Sequence, residues 1–113
     1  MINPTAFVRE LLDGLAASGR FQRMDLATEG PVAEGRAYLR EDLFLRFYFN
    51  EKTSTVAFAL VKDGWRVWGI DRDNRRGWHM HPLENPESHV AIAPVEVSEI
   101  LAQLMDALKT LQE

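Results

Sequence analysis

Asp63-Gly64 stands between Leu60-Val61-Lys62 and Trp65–Ile70, and no other feature of this 113-residue chain restricts its fold as tightly. An Asp-Gly pair flanked by strand-like runs reads as a type I′ hairpin turn, in which both central residues take positive φ. A two-residue loop at this point pairs Lys62 with Trp65, Leu60 with Val67 and Ala59 with Trp68. Both faces of the hairpin are largely apolar. That suits a strand pair in the middle of a sheet, or one covered by a helix or a second subunit.

The period of two extends outward from the hairpin. Residues 21–28 and 32–40 read as strands separated by the turn signal Glu29-Gly30-Pro31. Leu43, Leu45, Phe47 and Phe49 share one face of a third strand, and Thr53–Val61 is rich in β-branched and aromatic residues. Residues 71–77, Asp-Arg-Asp-Asn-Arg-Arg-Gly, interrupt the pattern. Extended structure resumes at 78–82, and His89–Ile92 is a further short strand.

Two helices flank this region. Asn3 is a good N-cap, Pro4 suits the first helical position, and Gly19 suits the end of the helix. Between them Phe7, Val8, Leu11, Leu12 and Leu15 recur at helical spacing. A second stripe, Val97, Ile100, Leu101, Leu104, Met105, Leu108 and Leu111, predicts a helix over about 96–112 that is wide enough to share with a partner. The expectation is a single α+β domain over 1–113, an antiparallel β-meander of about six strands between an N-terminal and a C-terminal helix.

Composition narrows the function classes. With 46% hydrophobic and 27% charged residues the chain is globular rather than disordered. It has no cysteine, which excludes disulfides, thiolate metal sites and cysteine nucleophiles and makes a cytoplasmic location the default expectation. No apolar run reaches the roughly 18 residues of a membrane span, and Met1–Leu12 lacks the basic-then-apolar order of a secretory signal. A net charge of −4 gives no global attraction to nucleic acid, although Lys62, Arg66, Arg72, Arg75 and Arg76 cluster in one stretch. There is neither a Gly-rich phosphate loop nor a Gly-x-Ser-x-Gly nucleophile turn.

The chemistry concentrates in Asp71–His81. On an extended 78–81 segment His79 and His81 project from the same side, about 7 Å apart at Cα, and can converge on one metal ion, phosphate or proton-transfer site. Asp71 or Asp73 can orient an imidazole. Arg72, Arg75 and Arg76 can donate to phosphate oxygens. Blander roles exist for all of them: strand histidines on a solvated face, arginines solvating a loop tip, and Asp73-Asn74 as turn residues. A metal site needs more than two histidines, so His89, Asp71, Asp73 or Glu84 would have to complete it, and no metal or other cofactor is expected from the pattern alone. The tryptophans at 65, 68 and 78 read as core or interface packing before base stacking.

The run Asp73-Asn74-Arg75-Arg76-Gly77-Trp78-His79-Met80-His81, following a hairpin and preceding a short strand and a helix, resembles the TumE-type toxins of prokaryotic toxin–antitoxin pairs. The resemblance spans roughly residues 40–110; the N-terminal helix and residues 20–40 lie outside it. It implies a small growth-arresting protein neutralised by a cognate antitoxin. In residue chemistry, His79, His81 and Asp73 as catalytic groups, with Arg72, Arg75 and Arg76 on a phosphodiester, suit metal-independent cleavage of RNA. Two other classes remain open: a non-enzymatic interaction module or homodimeric adaptor, and a metal-dependent enzyme built on His79, His81 and a carboxylate.

Overall fold

The computed structural model describes residues 3–113; Met1 and Ile2, which begin the stretch considered above for a secretory signal, lie outside the described residues. The element order is α1 (Pro4–Ser18), β1 (Arg23–Glu29), β2 (Val32–Arg40), β3 (Leu43–Asn50), β4 (Thr55–Lys62), β5 (Trp65–Asp73), β6 (Gly77–His81), β7 (Val90–Ala91) and α2 (Val97–Thr110). The strands pair antiparallel in sequence order to form one open sheet. The described residues form seven strands rather than six. This is the expected α+β meander, with β4 at its centre. No helix among the described residues is long and apolar enough to cross a membrane.

Both helices cover one face. The Asn3 side chain accepts a hydrogen bond from the Ala6 N–H at 2.8 Å and caps α1, and Gly19 closes it in the left-handed region. Glu96 and Glu99 form a capping box at the start of α2. Phe7, Leu11 and Leu15 of α1 and Ile100, Leu104 and Leu108 of α2 pack with Leu43, Leu45, Phe47, Phe49, Phe58 and Leu60 in one core. Phe7 stacks on Phe49 with centroids 4.6 Å apart, an arrangement that contributes about 0.5–1.5 kcal/mol beyond area burial. The stripe of α2 is thus largely consumed inside the domain. A side chain at Gly14 would overlap Leu101, so this glycine lets the helices approach closely.

The Asp63-Gly64 turn forms with positive φ at both residues, and Lys62 pairs with Trp65 as its length dictates. The expected register holds through the Val61–Arg66 pair and then fails. Leu60 pairs with Trp68 and Ala59 with Gly69, because a bulge between Leu60 and Val61 inserts Val67 as an extra residue. The consequence is large, since a one-residue slip exchanges the faces of a strand. Trp68 and Ile70 enter the core, while Gly69, Asp71 and Asp73 emerge on the face away from the helices.

A second correction concerns residues 71–77. The strand continues through Asp73, and only Asn74–Arg76 form the turn into β6. Asp71 pairs with His79 and Gly69 with His81, so polar residues that look like loop in sequence are ladder positions.

Candidate functional site

Trp78 and Met80 of β6 pack against the core, and alternation sends His79 and His81 to the opposite face. They are buried there, 5% and 1% exposed. An eight-residue loop, 82–89, returns the chain as β7, which pairs Val90 with Met80 and Ala91 with His79. Extending that pairing by one residue sets His89 across from His81. The three ring centroids lie 4.6 to 5.4 Å apart. One ligand-capable atom from each imidazole falls within 4.8 Å of the other two.

Asp71 completes the group. Its Oδ2 lies 3.0 Å from His81 Nε2 and 3.5 Å from His79 Nε2. The other nitrogen of His81 faces the Pro86 carbonyl at 3.1 Å, and Nδ1 of His79 lies 3.4 Å from the Gly77 carbonyl. Each of these two imidazoles thus has an oxygen facing both of its nitrogens, and a cation shared with Asp71 would satisfy that arrangement. The separations to Asp71 are those of hydrogen bonds and also suit a shared ion. Bonds of about 2.0–2.1 Å at tetrahedral angles put neighbouring ligands on zinc roughly 3.3 Å apart, between the two observed distances.

His89 is exposed and forms the solvent side of the cluster. Arg76 Nη1 lies 2.9 Å from its Nδ1; arginine can only donate, so Nδ1 accepts. Desolvation first, and then the positive charge of Arg76, hold the His89 imidazole below its ordinary value, which favours the neutral form that binds metals.

The other expected residues divide. Asp73 Oδ1 accepts from the backbone N–H groups of Arg76 at 2.7 Å and Arg75 at 2.9 Å, which makes it the cap of the 74–76 turn. Those bonds, the Arg76 one foremost, hold its carboxyl below the usual range. Arg72 pairs with Trp78, donates to the Ser54 carbonyl and Asn74 Oδ1, and so ties the turn to the β3–β4 connection on the helix-covered side. Arg75 is exposed at the turn, and Arg76 alone of the three arginines reaches the histidines. Glu84 is exposed in the 82–89 loop, outside the three-histidine group.

No protein-family model, curated protein or solved structure significantly matches the chain.

What sequence reasoning left open was the assembly of His89 and Asp71 with His79 and His81. Two signals bear on it, the Val67 bulge and the β6–β7 register, and neither has a composition signature. A further residue missed is Arg66, which follows the hairpin turn. Its Cδ and the His81 ring both border the space where a Gly69 side chain would stand.

Proposed function

We propose that this chain is a metal-dependent hydrolase centred on Asp71, His79, His81 and His89. The observation that carries the reading is the convergence of two buried Nε2 atoms on one carboxylate oxygen, at 3.0 and 3.5 Å. Three imidazoles and a carboxylate suit zinc or another late first-row divalent ion. Such an ion supplies Lewis acidity and a bound water that ionises near neutral pH. The chain's own residues do the rest. Pro86 and Gly77 carbonyls fix the rings of His81 and His79, so that these two and Asp71 would hold the ion, and exposed His89 is the ligand that would give way to water and substrate.

The proposed reaction is hydrolysis of a phosphodiester. Water adds to phosphorus, one P–O ester bond breaks, and the departing oxygen takes a proton. The resemblance of the 73–81 run to TumE-type toxins supports a cellular setting of growth arrest restrained by a cognate antitoxin. A second reading, metal-free acid–base cleavage by His79 and His81, draws support from Arg76, whose guanidinium stands where a cation would meet His89.

The test is hydrolysis of bis(p-nitrophenyl) phosphate by purified protein with zinc or manganese, and again after chelation. Metal-dependent turnover that disappears in the His79→Ala, His81→Ala double variant is the expected result. Turnover that survives chelation replaces the metal reading with the acid–base one, and no turnover in any condition overturns both. Growth arrest on induction of wild type, but not of the double variant, tests the cellular setting separately.

A further inference from the structure

The face of the sheet opposite the helices carries a concave groove of about 800 Å³ that ends against the histidine cluster at Asp71 and Arg66. Strand pairing lines up a row across it: Asp25 opposite Arg36, Arg36 opposite Arg46, Arg46 opposite Ala59, Ala59 opposite Gly69, and Gly69 opposite His81. Directly opposed like charges destabilise a strand pair. Arg36, Arg46 and Arg66 are exposed, and none of them forms a salt bridge among the described residues. Asp25 stands opposite Arg36 across β1–β2 and Arg66 donates to the Pro86 carbonyl at 3.4 Å, which leaves Arg46 as the charge of the row with no side-chain partner among the described residues; an anionic ligand would offset its repulsion with Arg36.

The floor between these arginines and the histidines is smooth, because Ala59 and Gly69 project almost nothing into it. By strand spacing, Arg46 and His81 are about 14 Å apart at Cα. A ligand that meets the arginines and the histidines together therefore carries anionic groups along an extended chain. Aromatic rings lie beside the row. Tyr48 lines the groove, and the Arg36 guanidinium sits 5.1 Å from the centre of the Phe44 ring. Arginines interleaved with aromatic rings on a groove are the chemistry that holds single-stranded nucleic acid. Asp25 and Glu34 line the β1–β2 end of the groove and Asp71 and Asp73 the histidine end, so carboxylates bracket the arginines.

We propose that a single-stranded nucleic acid lies across β2–β6 on the face opposite the helices, with its phosphates on Arg36, Arg46 and Arg66. This names the substrate of the hydrolase proposed above, and it rests on that reading for the chemistry but not for the binding.

The probe is a labelled 12-nucleotide RNA titrated by fluorescence anisotropy in the presence of chelator, across a salt series. The Arg36→Ala, Arg46→Ala double variant is expected to bind at least tenfold more weakly and to lower the salt slope by about 1.4, roughly 0.7 for each lost phosphate contact. Arg9→Ala, which removes one exposed charge from α1 on the other side of the sheet, is expected to bind as wild type does. Matching circular dichroism spectra establish that the variants are folded. The proposal is overturned by absent binding, by equal loss in Arg9→Ala, or by displacement with a nucleoside monophosphate as effective as with the 12-mer. Zinc measured on the same preparations before chelator is added separates the two readings. RNA binding without zinc keeps the groove and removes the metal centre; zinc without RNA binding does the reverse.

Discussion

Asp71 Oδ2 lies 3.0 Å from His81 Nε2, and the two residues are placed by different parts of the sheet. His81 faces away from the helices by simple alternation along β6, whereas Asp71 does so only because Val67 is an extra residue in β5. In an unbroken ladder Asp71 would share a face with Leu60, inside the core. Bulges recur beside active sites because they re-aim side chains in this way.

Gly69 is the first test of that arrangement. A Cβ there would stand 2.8 Å from the Phe58 carbonyl oxygen and 3.6 Å from both Arg66 Cδ and the His81 ring. Gly69→Ala is expected to lower the unfolding free energy by about 1–3 kcal/mol, as overpacking does, in a urea titration. A variant as stable as wild type would show that β4 and β5 can part at no cost.

Arg76 gives a test of opposite sign. Its guanidinium occupies His89 Nδ1, so it competes with a bound cation in space and in charge. Arg76→Ala is expected to tighten zinc binding roughly tenfold, equivalent to about 1.4 kcal/mol. Competition against a chromophoric chelator measures it, and weaker binding in the variant would make Arg76 a support of the site rather than a competitor.

Much of the fold was legible in the residues. Asn3, Pro4 and Gly19 mark the ends of α1, Asp63-Gly64 makes its hairpin, and both helical stripes reach the core. The site was legible in part. His79 and His81 share a face because alternation along five residues is local. Their partners are set by long-range register, and Asp71 and His89 each depend on a pairing that one residue more or less would invert. Asp73, the more obvious carboxylate beside an Asn-Arg-Arg turn, is the turn's own cap. Trp65, expected to pack, is 75% exposed at the hairpin tip.

Acid sensitivity has a source far from the histidines. Arg40 and then Lys62, both donating to the Glu113 carboxylate, lower its value from 4.5 to about 2. A carboxyl depressed by folding stabilises the fold above its unfolded value, and that contribution disappears as pH falls through the folded one. Thermal midpoints of wild type are therefore expected to drop between pH 4.5 and about 2. Glu113→Gln is expected to melt lower than wild type at pH 7 and to lose less across that window. Parallel curves for the two proteins would assign the acid sensitivity to other carboxylates.

Metal content tests the central claim most directly. Purified protein equilibrated with zinc and freed of excess is analysed for bound metal, beside Asp71→Asn and the His79→Ala, His81→Ala double variant. One zinc per chain in wild type, lost in the double variant and weakened in Asp71→Asn, is the expected result. Zinc absent from folded wild type, or retained in full by the double variant, contradicts a metal centre at Asp71, His79, His81 and His89.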